Sequence, residues 1–111
     1  MQLFGWFTSQ RAKTRLSSLA QIIAEQCRES VWRQVVARAG SLHSAAEARG
    51  YVRSRARSAV RRKTRLITLR RPLPQPVEAF LWQTALDLLV MQLAPHLIVK
   101  AEEPRRLQRA A

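Results

Sequence analysis

Residues 44–76 read SAAEARGYVRSRARSAVRRKTRLITLRRPLPQP, and this stretch decides the fold. It opens on Ser44-Ala45-Ala46-Glu47. This is a capping box, in which the serine hydroxyl and the glutamate carboxylate each take up an amide that a helix start would leave unpaired. Ala45, Ala48, Val52, Ala56, Ala59, Val60 and Ile67 then fall within roughly a 120° arc of a helical wheel. Most of that arc is alanine, so a neighbouring helix can approach closely. The stretch closes on Pro72, Pro74 and Pro76. Three alternating prolines exclude helix interior and demand an extended connector, for which a spacer is the simplest role. The expectation is a helix over 44–69 followed by a stiff crossover over 70–76. Residues 64–70 are readable either as its last turns or as a short extended segment.

On the N-terminal side, Leu16, Leu19, Ala20, Ile23, Cys27 and Val31 recur at three- and four-residue steps. They predict a long helix from Thr8 or Ser9 to Ala39 with one face in a core. Trp32, Val35, Val36 and Ala39 extend the apolar surface, and Gly40 suits the residue just past the helix end. Glu25, Glu29 and Arg33 form an i,i+4 ladder on the outer face. On the C-terminal side, residues 76–94 are apolar nearly all round, from Val77 through Phe80, Leu81 and Trp82 to Met91 and Leu93. Pro76 suits a first helical turn and Pro95 marks the end. The fold class is therefore all-α, in one domain of three helices across 1–111. A long antiparallel helical hairpin is followed, after the proline-rich connector, by an apolar third helix; an apolar segment at 1–7 and a polar tail at 100–111 flank it. At 111 residues a single core can hold without staples.

Charge is distributed unevenly. The chain carries 20 Lys and Arg against seven Asp and Glu, a formal net charge of +13. Residues 41–71 hold ten of the basic groups and one acid, Glu47. A block that repels itself this strongly is disfavoured in a compact chain unless it is solvated or met by anions. Arg49, Arg53, Arg57, Arg61 and Arg65 stand at i,i+4 throughout, with Arg55 and Arg62 on the remaining exposed side and Lys63 at the edge of the apolar arc. Forked guanidinium donors match phosphate oxygens. These eight residues are the candidate nucleic-acid contacts, made through backbone phosphates of DNA or RNA without sequence readout, because the face offers few Asn or Gln to read base edges. The simpler alternative is a solvated helix face. Seventeen of the 20 cations are Arg in an alanine-rich chain, a pairing that genome composition alone can produce, so the Arg excess carries no argument by itself.

Two other partner classes follow from the sequence. Phe80, Trp82 and Met91 are natural anchors for a protein partner or self-association, against plain core packing. Leu3, Phe4, Trp6 and Phe7, followed by Arg11, Lys13 and Arg15, suit the headgroup region of an anionic membrane, against folding back onto the core.

Catalysis finds no support. Two His and seven acids are scattered, with no nucleophile–His–acid grouping and no phosphate loop. No small-molecule substrate or cofactor is implied, and one cysteine with His43 and His96 does not make a four-ligand zinc site. Cys27 reads as a small buried hydrophobe, and the lack of a second cysteine suits a reducing, cytoplasmic setting. The segment 77–99, the best candidate for a membrane span, carries Glu78 and Asp87, and the short apolar run at 3–7 precedes its basic residues instead of following them; neither a span nor a signal peptide is expected.

Overall fold

The computed structural model describes residues 10–99. Among them are three α-helices, α1 (Gln10–Val35), α2 (Ala45–Thr68) and α3 (Gln75–Leu93), and no strand. Two short 3-10 turns follow α1 (Val36–Arg38) and α3 (Ala94–Leu97). The all-α three-helix expectation holds.

Residue pairs fix the helix directions. Cys27 Sγ donates to the Ala59 carbonyl at 3.8 Å, and Arg38 lies over the Tyr51 ring, so α1 and α2 run antiparallel. Arg53 pairs with Asp87 while Arg57 and Arg61 reach Trp82, so α2 and α3 are antiparallel as well. Trp32 and His96 meet edge to face at 6.1 Å, bringing the C-terminal ends of α1 and α3 together.

Local chemistry sets the boundaries. Ser44 Oγ accepts from the Glu47 amide at 3.0 Å, as the capping box requires, but the Glu47 carboxylate reaches one residue further back, to the His43 amide at 3.4 Å. Gly40 sits at φ +74°, the left-handed conformation that an L side chain resists. The first helix tightens into a 3-10 turn at Val36 instead of running as α-helix to Ala39. Val35 is buried whereas Val36 is exposed, because adjacent helical positions diverge by 100°, and Ala39 is exposed because the helix has ended before it. Thr8 and Ser9, expected to cap α1, lie outside the described residues. Residues 64–68 continue as helix. The third helix opens at Gln75, with Pro76 inside its first turn, and the Pro74 carbonyl accepts from the amides of Val77 and Glu78. As expected, the α-helix stops at Leu93, ahead of Pro95. The proline is accommodated near the start of the following 3-10 turn, where a missing amide costs nothing.

The core is one cluster drawn from all three helices, with Ile23, Val31, Val52, Val60, Leu81 and Leu89 fully buried. In α2 the buried row is Ala48, Val52, Ala56, Val60, Thr64 and Thr68. Ala45, expected in the apolar arc, is exposed, while Ala59 and Ile67 are half-buried. A row of strict i,i+4 steps drifts about 40° per step on a straight helix, so the face that meets the neighbours rotates along α2 and ends on two threonines. Both hydroxyls donate back to the i−4 carbonyl, Thr64 to Val60 at 2.8 Å and Thr68 to Thr64 at 2.9 Å, which lets them be buried without an outside partner.

The last element is a clasp. The Leu42 amide donates to the Leu97 carbonyl at 3.0 Å and the Val99 amide to the Leu42 carbonyl at 2.8 Å, an isolated parallel bridge between Leu42 and Ile98. It ties the α1–α2 turn to the chain leaving α3.

Gln75–Leu97 does reach the length and apolarity of a membrane-crossing helix, which the sequence reading did not allow. The core helix of a three-helix protein meets the same test, and Val77, Leu81, Ala85, Leu86, Leu89, Val90 and Leu93 are buried against α1 and α2.

Candidate nucleic-acid interface

The five arginines at i,i+4 do not spiral away from the rest of the molecule, as they would on an isolated straight helix. The buried row of α2 advances by the same four-residue step, so each arginine stands one position, 100°, beyond a core residue along the whole helix. The drift cancels, and Arg49, Arg53, Arg57, Arg61 and Arg65 run as a continuous line beside the seam with α3.

Side chains of α3 hold that line in place. Arg53 Nη1 lies 2.8 Å from Asp87 Oδ1, with both side chains substantially exposed, an ion pair contributing about 1 kcal/mol or less. The guanidinium carbons of Arg57 and Arg61 lie 5.4 and 5.1 Å from the centroid of the Trp82 ring. Cation–π contact restrains a guanidinium without neutralising it. Arg65 shares with Arg61 a hollow whose floor is Trp82, Leu73 and Ala79 and whose rim carries Gln75 and Glu78. At the other end, Arg49 and Arg53 border an apolar hollow formed by Val90, Met91, Ala94, Pro95 and Ile98.

The three remaining candidates part company. Arg55 lies on the opposite flank, toward α1, 5.3 Å from the Tyr51 ring centroid. Arg62 faces outward between the flanks, beside Ser58 and Leu66. Lys63 turns toward α1 and is half-buried. Its ammonium acts on Cys27, whose thiol burial pushes up and the nearby positive charge pulls partly back, leaving a net rise. Lys63 therefore belongs to the α1–α2 packing more than to the exposed face.

Arg38 was not among the sequence candidates. Its guanidinium lies 5.3 Å from the same Tyr51 ring, and its Nε donates to Ser41 Oγ at 3.2 Å. Only the i,i+4 pairing of Tyr51 with Arg55 was readable in advance; the partner from the end of α1 is a tertiary contact.

The candidate protein anchors do not gather into one patch. Phe80 and Trp82 are two residues apart, so they leave α3 on opposite flanks, 200° apart. Trp82 is half-covered by the arginines, while Met91 is 65% exposed at the far hollow. Leu3, Phe4, Trp6 and Phe7 lie outside the described residues. His43 and His96 are both exposed, and among the described residues no three His, Cys, Asp or Glu side chains come together as a metal set.

No family model, curated protein or solved structure matches the chain.

Proposed function

We propose that this chain binds a polyanion, nucleic acid foremost, through backbone phosphates, and that it does so without catalysis. The observation that carries the reading is the aligned row Arg49, Arg53, Arg57, Arg61 and Arg65, joined by Arg55 and Arg62, with Asp87 its one ion-paired acid among the described residues. Five guanidiniums on one line repel each other, and phosphate is the ligand whose charge and geometry relieve that repulsion. Attachment is electrostatic and rests on counterion release, so affinity falls steeply with salt. The buried, unpaired Cys27 suits a reducing intracellular setting for this role.

The test is the nucleic-acid content of the purified protein, followed by titration against duplex DNA and structured RNA. Co-purification and binding that weakens when Arg53, Arg57 and Arg61 become Gln support the reading. A protein that comes free of nucleic acid and binds neither polymer overturns it.

A second reading is favoured by one observation. Met91 is exposed over the hollow of Val90, Ala94, Pro95 and Ile98, which suits an apolar anchor from a protein partner. Met91→Glu then abolishes association while leaving nucleic-acid binding in place.

A further inference from the structure

Guanidinium pairs flank α2 on both sides, each gathered on one aromatic ring. Arg38 and Arg55 share Tyr51, each 5.3 Å from its centroid, on the flank toward α1. Arg57 and Arg61 share Trp82, at 5.4 and 5.1 Å, on the flank toward α3. Arg55 and Arg57 are two residues apart and so leave the helix about 200° apart. The Trp82 pair is centred about eight residues beyond Tyr51, roughly 12 Å along the axis. A solvated arginine face has no need of this arrangement. Free guanidiniums repel and spread, whereas here each flank keeps two together, in fixed positions and still charged. Holding them in place beforehand removes part of the ordering cost of binding.

We infer that α2 is a groove-spanning clamp for B-form duplex DNA, the Tyr51 pair gripping the phosphates of one strand and the Trp82 pair those of the other, across one major groove. The inference rests on the nucleic-acid reading above and narrows it to one polymer. A helix with its side chains is about 10–12 Å across, and the major groove of B-DNA is about 12 Å wide, so cations on the two flanks of one helix meet the two phosphate walls. A single strand offers one wall and leaves one pair unused. The major groove of duplex RNA is deep and narrow and does not admit a helix. Between the flanks the exposed outer positions of α2 include Gly50, Ser54 and Ser58, none of which blocks approach, and Arg62, whose guanidinium suits a guanine edge. The clamp therefore grips chiefly shape and charge, with Arg62 as its one arginine aimed at the bases between the flanks.

The experiment measures anisotropy with the full chain at one fixed salt, against four probes of one mixed sequence. These are duplex DNA, duplex RNA, single-stranded DNA, and duplex DNA whose cytosines carry glucosylated 5-hydroxymethyl groups that fill the major groove. The expected result is that the plain DNA duplex binds about tenfold or more tightly than each of the others, since losing one flank forfeits two phosphate contacts. Arg38→Gln with Arg55→Gln, and separately Arg57→Gln with Arg61→Gln, should each weaken plain duplex binding while leaving the filled duplex nearly unaffected. Circular dichroism of both double variants separates lost contacts from lost fold. Equal binding to the plain and filled duplexes, or to duplex and single strand, overturns the clamp while leaving nucleic-acid binding intact. So does a well-folded Arg38/Arg55 variant that binds as the parent does. Absence of binding to all four probes overturns the clamp together with the broader reading.

Discussion

Ala56→Leu tests the packing on which the arginine line depends. Ala56 is fully buried in the middle of the α2 row, and Ala85 is fully buried on α3. The register set by Arg53 with Asp87 and by Arg57 with Trp82 brings Ala56 level with Ala85, so the two helices pass with alanine facing alanine. Leucine adds three carbons where there is no space. Overpacking of this kind costs about 1–3 kcal/mol. For a domain of this size each kcal/mol shifts the melting temperature by about 4–8 °C, so the variant should melt roughly 4–24 °C lower. Ala46→Leu is the control. It stands on the exposed outer side of the same helix, where a substitution changes stability by about 0.5 kcal/mol or less. Thermal unfolding followed by circular dichroism at 222 nm, a standard helix wavelength set roughly by the backbone amides, reads both. If Ala56→Leu melts with the parent, the close approach of α2 and α3 is wrong, and with it the idea that the buried row and the arginine row are locked in step.

Other outcomes follow from single contacts. Arg57→Gln with Arg61→Gln removes two phosphate contacts, so the slope of log K against log salt on duplex DNA should become shallower by about 1.8; an unchanged slope means that these two arginines touch no phosphate. Gly40→Ala forces a side chain into the left-handed region and should destabilise by about 1–2 kcal/mol in chemical denaturation, although open space surrounds the position. Gly50→Ala, in the interior of α2 with nothing within 4 Å of the added carbon, should instead stabilise by about 0.5–1 kcal/mol. Burial chiefly raises the pKa of the Cys27 thiol in the folded state above its ordinary value of 9.0. The fold thus favours the protonated thiol, and its contribution is complete below pH 9 and is lost as the pH climbs from there through the folded value. Melting temperature should decline in that alkaline window, and Cys27→Ala should remove that part of the decline.

Much of the architecture was legible because the signals were local. The Ser44–Glu47 box, the left-handed Gly40 and the proline run each act within a few residues; the box and the prolines fall at observed helix ends, and Gly40 two residues past the 3-10 turn that follows α1. The rotation of the buried face was not legible. A wheel assumes a straight helix against a flat neighbour, so it assigned Ala45 to the core and passed over Thr64 and Thr68. On the same assumption the arginines would drift around α2 as a spiral, whereas drift of both rows together keeps them aligned. The aromatic posts were hidden for another reason. Tyr51 and Trp82 owe their roles to Arg38, Arg57 and Arg61 arriving from other helices, and no spacing within one segment encodes that meeting. Pro95 was legible as a stop, since the α-helix ends at Leu93; what was not legible is the 3-10 turn that carries the chain on to Leu97.

The clasp between Leu42 and Ile98 bears on how the molecule comes apart. Its two hydrogen bonds join the turn after α1 to the chain after α3. The third helix thus swings out on its connector at residues 69–74 only by breaking both of these bonds and leaving the core it shares with α1 and α2. Protection against hydrogen exchange at the amides of Leu42 and Val99 should therefore follow global unfolding, with the three helices forming one cooperative unit and no separately opening third helix. A cation line shared between α2 and α3 keeps its geometry only as long as that unit stays whole.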